Sequence, residues 1–226
     1  MIGVTTEQGA VATAAAPDDE VAGRGSGRRS AGTAALALAI LLGLLLGFAG
    51  GLLAPGLLRP GDGSPEAGFA RDMSSHHAQA VEMAILAHEK AADPDVRVLA
   101  ADIALTQQGQ IGVMQTWLKD WGLGPTGREP RMAWMPDAAG AVKNGLMPGM
   151  ATDAQRAELR AATGRDFDAL FLKLMLDHHL GGIHMAEGIL DLSDDEQVTE
   201  MAESMVAGQK KEIELVRSLQ GRIGTP

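Results

Sequence analysis

Residues 69–83 (FARDMSSHHAQAVEM) and residues 171–185 (FLKLMLDHHLGGIHM) carry one pattern twice. A shift of 102 residues places Phe69 on Phe171, Met73 on Met175, His76 and His77 on His178 and His179, and Met83 on Met185. The match continues without a gap: Asp93 falls on Asp195, Val96 on Val198, Gln107 on Gln209 and Ile111 on Ile213. Residues 69–118 and 171–220 therefore read as two copies of one helical hairpin. A hairpin cannot cover its own apolar stripe, so two copies pack on each other. The expected fold is all-α: a four-helix bundle with pseudo-twofold symmetry, built from two repeated hairpins.

Composition agrees. Aromatic residues make up 3% of the chain and Tyr is absent, so Ala, Leu, Gly and Met supply the apolar content, which favours helices over sheets. The net charge is −10 and no basic patch marks a nucleic-acid surface. There is no Cys, which removes disulfides, thiolate zinc sites and cysteine nucleophiles. Soft-metal chemistry must then use Met sulfur and His nitrogen.

Residues 1–30 carry no apolar periodicity and read as a disordered cytoplasmic tail. Residues 31–53, from Ala31 to Leu53, hold no charge, a run long enough to cross a bilayer as one transmembrane helix. The alternative is a cleaved signal peptide and a secreted product. A signal core is about 7–15 residues behind a short basic lead; this run is longer, which favours an anchor. Arg24, Arg28 and Arg29 before it place the N-terminus in the cytoplasm and the rest of the chain outside. Residues 54–66 are a Pro/Gly linker. The bundle is expected over 67–221, with helices over 67–90, 94–121, 152–163 and 167–192. Asp194 or Asp195 opens a last helix ending near residue 221. A Met-rich loop, 122–151, joins the two hairpins.

On a helix, residues three, four and seven apart share a side. Met73, His76, His77, Ala80 and Met83 form one stripe, and Met175, His178, His179, Gly182 and Met185 form the matching one. Imidazole and thioether together suit copper, Met favouring Cu(I). The competing reading is that Met fills core and His is merely hydrogen-bonded; pairs at equivalent sites in both repeats weigh against it. Asp72, Glu82, Asp177, His184 and Glu187 border the stripes as possible acceptors for the imidazoles. Ala80, Gly181 and Gly182 are small enough to let backbones approach. His88, whose repeat partner is Leu190, lies near a helix end, where a cation is favourable. The loop adds Met132-Ala-Trp-Met135 and Met147-Pro-Gly-Met150. These are either auxiliary Cu(I) ligands, with Trp134 as a shield or cation–π partner, or anchors that hold the loop on the bundle.

Enzyme signatures are missing. Neither repeat has the Glu-x-x-His of di-iron bundles, and there is no His-Glu-x-x-His or Gly-x-Ser-x-Gly. A non-catalytic protein is expected.

Asp72-Met73-x-x-His76-His77 with Ala80-x-x-Met83-Ala84 resembles the signature of the domain of unknown function 305 family. So do Met147-Pro-Gly-Met150, residues 157–160, and the run from Phe167 through Phe171, Met175, His178-His179 and Met185-Ala186. The resemblance covers roughly residues 65–221. It implies a ferritin-like four-helix bundle, export or membrane anchoring in bacteria, and a link to copper binding and tolerance. It also implies ligand positions at Met73, His76, His77, Met83, Met147, Met150, Met175, His178, His179 and Met185. Leu180-Gly181-Gly182 departs from the family pattern, in which a polar residue often follows the His pair. The expected function is an anchored extracytoplasmic protein that sequesters or delivers copper, with a copper transporter or cuproenzyme as partner. A helical interaction module without metal, and a metal-dependent oxidase, are the alternatives.

Overall fold

The computed structural model describes residues 27–57 and 59–224, so the tail expected over 1–30 lies, up to residue 26, outside the described residues. Among the described residues regular structure is helical, apart from one isolated pairing of Lys143 with Leu146. The chain divides into two compact units, Met1–Leu58 and Arg59–Pro226.

The described part of the first unit is one helix, α1 (Gly27–Leu57). Within it Gly32–Leu52 has 21 residues, a mean hydropathy of 2.4 and no buried share. At 1.5 Å per residue that run is about 31 Å long, close to the thickness of a bilayer core.

In the second unit, caps set the helix starts. Ser64 accepts the Ala67 N–H at 3.2 Å with Pro at the first turn, opening α2 (Pro65–Lys90). Asp93 accepts from the Asp95 and Val96 N–H groups and opens α3 (Pro94–Asp120). One turn of helix, α4 (Ala138–Ala141), interrupts the long loop. Thr152 and Gln155 form a capping box that opens α5 (Asp153–Ala161). After it come α6 (Gly164–Leu190) and α7 (Glu196–Ile223), the latter opened by Asp195 accepting from Gln197 and Val198. Asp93 and Asp195 are one register pair of the repeat, so the repeat extends to how its helices begin. Every helix end in this unit, α4 aside, falls within three residues of its expected place.

α2 packs along α3 and α6 along α7; the two hairpins meet chiefly through α2 against α6, with α3 touching α7 and α5 touching α6. Phe69, Phe167 and Phe171 are fully buried, each contributing about 1.5–3 kcal/mol by removal from water. The core falls into two clusters. One gathers Met83 and Met175 with Phe167, Phe171, Leu172 and apolar residues of α3 and α7. The other gathers Met73, Met114, Met132, Met135, Met147, Met185 and Met205, with Met150 and Met201 at its edge. Met73 thus sits with Met185 and Met83 with Met175, the pairing that faces of opposite direction produce.

Candidate metal centre

The His pairs lie between these clusters. His76, His77, His178 and His179 are at most 1% exposed. The His76 and His178 rings, one from each hairpin, are 3.8 Å apart between centroids. His77 and His179 flank them at 6.3 and 6.4 Å from their neighbours. The four imidazoles predicted from the repeat are therefore brought together.

Each ring is tethered through Nε2. His76 donates to the Pro148 carbonyl at 2.9 Å and His178 to the His76 carbonyl at 2.9 Å. His77 donates to Gln110 Oε1 at 2.8 Å and His179 to the Glu212 carboxylate at 2.5 Å. All four acceptors are oxygens without a proton to give, so each Nε2 carries the hydrogen. In a neutral imidazole the other nitrogen is then a bare lone pair. All four Nδ1 atoms are buried with no partner among the described residues. Burial pushes His76 down to about 4 and His77 to about 3, and holds His178 well below the usual range; the neighbouring imidazoles add to the effect. These three rings are neutral near pH 7 and need lose no proton to bind a metal.

A buried polar atom without a partner costs about 1–3 kcal/mol, so four in one place need an explanation. An imidazole held through one nitrogen, with the other left unpartnered, is how metal-binding histidines are oriented. Among the described residues no three His, Cys, Asp or Glu side chains group as a metal site. Each His pair is flanked on its own helix by methionines, and imidazole with thioether is a donor set of the kind that suits Cu(I).

The sulfur donors are placed unevenly. Met73 and Met185 share their cluster with Met147, and Met150 packs at its edge; Met83 and Met175 lie in the other cluster, which holds none of the loop methionines. Met132 and Met135 bury fully or nearly so in the same cluster as Met147. Met132 has φ +64, a strained backbone for a side chain of this kind, and its N–H is held at 2.7 Å by Asp72. Trp134 donates to the same carboxylate oxygen at 2.9 Å and meets Phe69 edge-on at 5.8 Å. The ring thus packs against an aromatic and pins the loop.

The Met147–Met150 segment is a strap across the centre. Pro148 binds His76 through its carbonyl, and Gly149 has φ +76, a conformation that favours glycine. A Cβ on Gly149 would lie 3.0 Å from His178 Cα. A Cβ on Gly181 would lie 2.8 Å from Gly149 N and nearer still to the Pro148 oxygen. A Cβ on Gly182 would meet the Gln209 amide at 2.5 Å. The two glycines therefore make room for the strap and for a side chain of α7, rather than for α2. Gln79 grips the strap's far end, accepting from Ala151 N at 2.6 Å and donating to Ala151 O at 3.0 Å.

None of the five bordering residues takes the acceptor role expected of it. Asp72 holds the Met132–Trp134 loop, and burial raises its carboxyl above the usual range against those two hydrogen bonds. Glu82 pairs with Arg156 and Arg160, Glu187 with Lys210, and His184 with Asp137 at 3.0 Å; Asp177 is exposed. They bond elsewhere or face solvent, whereas the imidazoles bond α3, α7, the strap and, for His178, the backbone of α2. Gln110, Glu212 and Gln79 were missed. Gln110 and Glu212 are one register pair, each 33 residues after its histidine, and that pairing was the signal available. His88 is exposed near the end of α2, bonded to Arg97 O at 3.3 Å.

The sequence profile described as Domain of unknown function (DUF305) matches residues 66–220. Among solved structures, a DUF305 protein from Streptomyces coelicolor is similar at 42% identity over 72% of this chain and 95% of that one, with a TM-score of 0.66. A DUF305 fragment from Deinococcus radiodurans is similar at 32% identity over 70% and 96%, with a TM-score of 0.58. CopM in its Cu(I)-bound form is similar at 23% identity over 70% and 96%, with a TM-score of 0.53. CopM has also been solved with Cu(II) and with Ag. No match is found among curated proteins.

Proposed function

Since this chain belongs to the DUF305 family, we propose that it binds copper, Cu(I) foremost, as cargo in a buried His–Met stripe outside the cytoplasm. The observation that carries this reading is the set of four buried, unpartnered Nδ1 atoms on His pairs that methionines flank along both helices. The metal ligands are drawn from Met73, His76, His77, Met83, Met175, His178, His179 and Met185, with Met147 and Met150 supplied by the strap. Copper in CopM supports the choice of metal. The protein sequesters or hands on the ion and performs no chemistry on it. α1 anchors the unit to the membrane in single pass, where a copper transporter or cuproenzyme can exchange metal with it; its length and full exposure support an anchor.

The test is a Cu(I) titration of the full chain in detergent micelles against a competing chromophoric chelator. Wild type should withdraw Cu(I) at a defined stoichiometry, and a His76→Ala/His178→Ala variant should not. A wild-type chain that leaves the chelator complex intact overturns the copper reading and leaves the stripe as a polar core.

A further inference from the structure

The geometry points to a second, outer metal site. His184 and Met150, with Asp177 beside them, form a solvent-reached capture point for a soft monovalent cation, which passes from there to the buried stripe. This rests on reading the stripe as a metal site.

Two surface grooves, of about 460 and about 560 Å³, meet at this place, and both are lined by Pro148, Gly149, Met150 and His184. Asp177 lines the first and Asp137 the second. Asp177, Gly181 and His184 fall on one face of α6, and the strap lies over Gly181 between the two polar residues. The His184 side chain is 44% exposed and its Nε2 pairs with Asp137 at 3.0 Å. That bond orients the ring and leaves Nδ1 as the nitrogen open to a ligand. Met150 is half-buried, unlike the fully enclosed methionines of the core. A thioether and an imidazole on one groove are soft and intermediate donors for Cu(I) or Ag(I).

The strap links this groove to the interior. Met150 N bonds Met147 O at 3.2 Å, so the two sulfurs are carried on one tight turn. Met147 is 2% exposed inside the Met cluster, while Met150 lines the groove. Between them Pro148 touches His76 and Gly149 lies against His178. Transfer is a series of donor exchanges in which one sulfur or nitrogen replaces another and the ion keeps its oxidation state. The repeat partner of His184 is Glu82, which is paired with Arg156 and Arg160. The outer site therefore exists only on the copy that the strap covers.

The experiment is stopped-flow transfer of Cu(I) from its bicinchoninate complex to the full chain in micelles, read as loss of the complex's absorbance. Wild type is compared with His184→Ala and with His88→Ala, an exposed histidine elsewhere. His184→Ala should slow transfer by about tenfold, the scale of losing one orienting or ligating contact, with an unchanged final occupancy. His88→Ala should match wild type. Transfer to His184→Ala at the wild-type rate overturns the outer site alone, as does an equal slowing in His88→Ala. A lowered final occupancy in His184→Ala also overturns it, since His184 then belongs to the store itself. Wild type taking no Cu(I) overturns the buried site and this inference together.

Discussion

Replacing Gly181 by Ala tests the seat of the strap. In a helix interior this change normally stabilises by about 1 kcal/mol, because Ala loses less backbone freedom than Gly. Here the new methyl group would lie 2.8 Å from Gly149 N and closer to the Pro148 carbonyl. Both are backbone atoms on a segment already held by Gln79 and by the φ +76 turn at Gly149. The strap must lift. Overpacking of this kind costs about 1–3 kcal/mol, and losing the bond from His76 to Pro148 costs about 1 kcal/mol more. The net expectation is a loss of about 1–3 kcal/mol. Gly208→Ala in α7, where a Cβ meets nothing within 4 Å, keeps the ordinary gain of about 0.5–1 kcal/mol. The atoms nearest a Cβ on Gly182 belong to the Gln209 side chain, which can turn aside, so Gly182→Ala should have an effect near zero. Urea unfolding of the three variants reads these differences as shifts in midpoint at constant slope. A Gly181→Ala protein as stable as wild type, or more so, refutes the idea that the strap rests on this glycine. Its Cu(I) affinity should fall by about tenfold, since His76 loses the acceptor that orients it.

Acidification should weaken the metal-free protein. His76 and His77 bind fewer protons folded than unfolded between their folded values of about 4 and about 3 and the unfolded value near 6.5. Stability therefore rises with pH in that window and is lost as pH falls below about 6.5; His76 alone is worth on the order of 3 kcal/mol. Equal urea midpoints at about pH 7.5 and about pH 4.5 would contradict this. Glu212→Gln, which copies Gln110 of the other repeat, should lower Cu(I) affinity by about tenfold with little change in unfolding midpoint, because a carboxylate makes its imidazole a better donor than an amide does. Asp72→Ala leaves the Met132 and Trp134 N–H groups without their acceptor. It should cost about 2–3 kcal/mol and flatten the Trp near-ultraviolet circular dichroism; an unchanged spectrum would show that Asp72 does not hold the loop.

Helix positions were legible because the repeat duplicates them and Asp195 marks the start of the last helix, whereas the caps at Ser64 and Asp93 emerged only with the structure. The four histidines were legible because their register is duplicated. Which atoms face them was not. Acceptors for an imidazole come from whatever packs opposite, and α3, α7 and the strap are tens of residues away in sequence. Asp72 and Glu82 looked apt only because they are near in sequence; 100° of turn per residue carries them to the flank. The role of Gly181 was hidden for the same reason, since a glycine shows where something approaches but not what.

The strap is not duplicated, whereas the helices under it are. Two identical hairpins would offer one loop two equivalent dockings, and the chain would fold to a mixture of both. The repeat breaks this tie where its two copies differ, most directly at one register. Position 79 in one copy is Gln, which grips Ala151, and position 181 in the other, 102 residues on, is Gly, which yields to Pro148. One half supplies a hand and the other a hollow. Exchanging Gln79 for Gly together with Gly181 for Gln would therefore do more than weaken the loop: it would invite the loop to cross the other way and put its methionines over the opposite face.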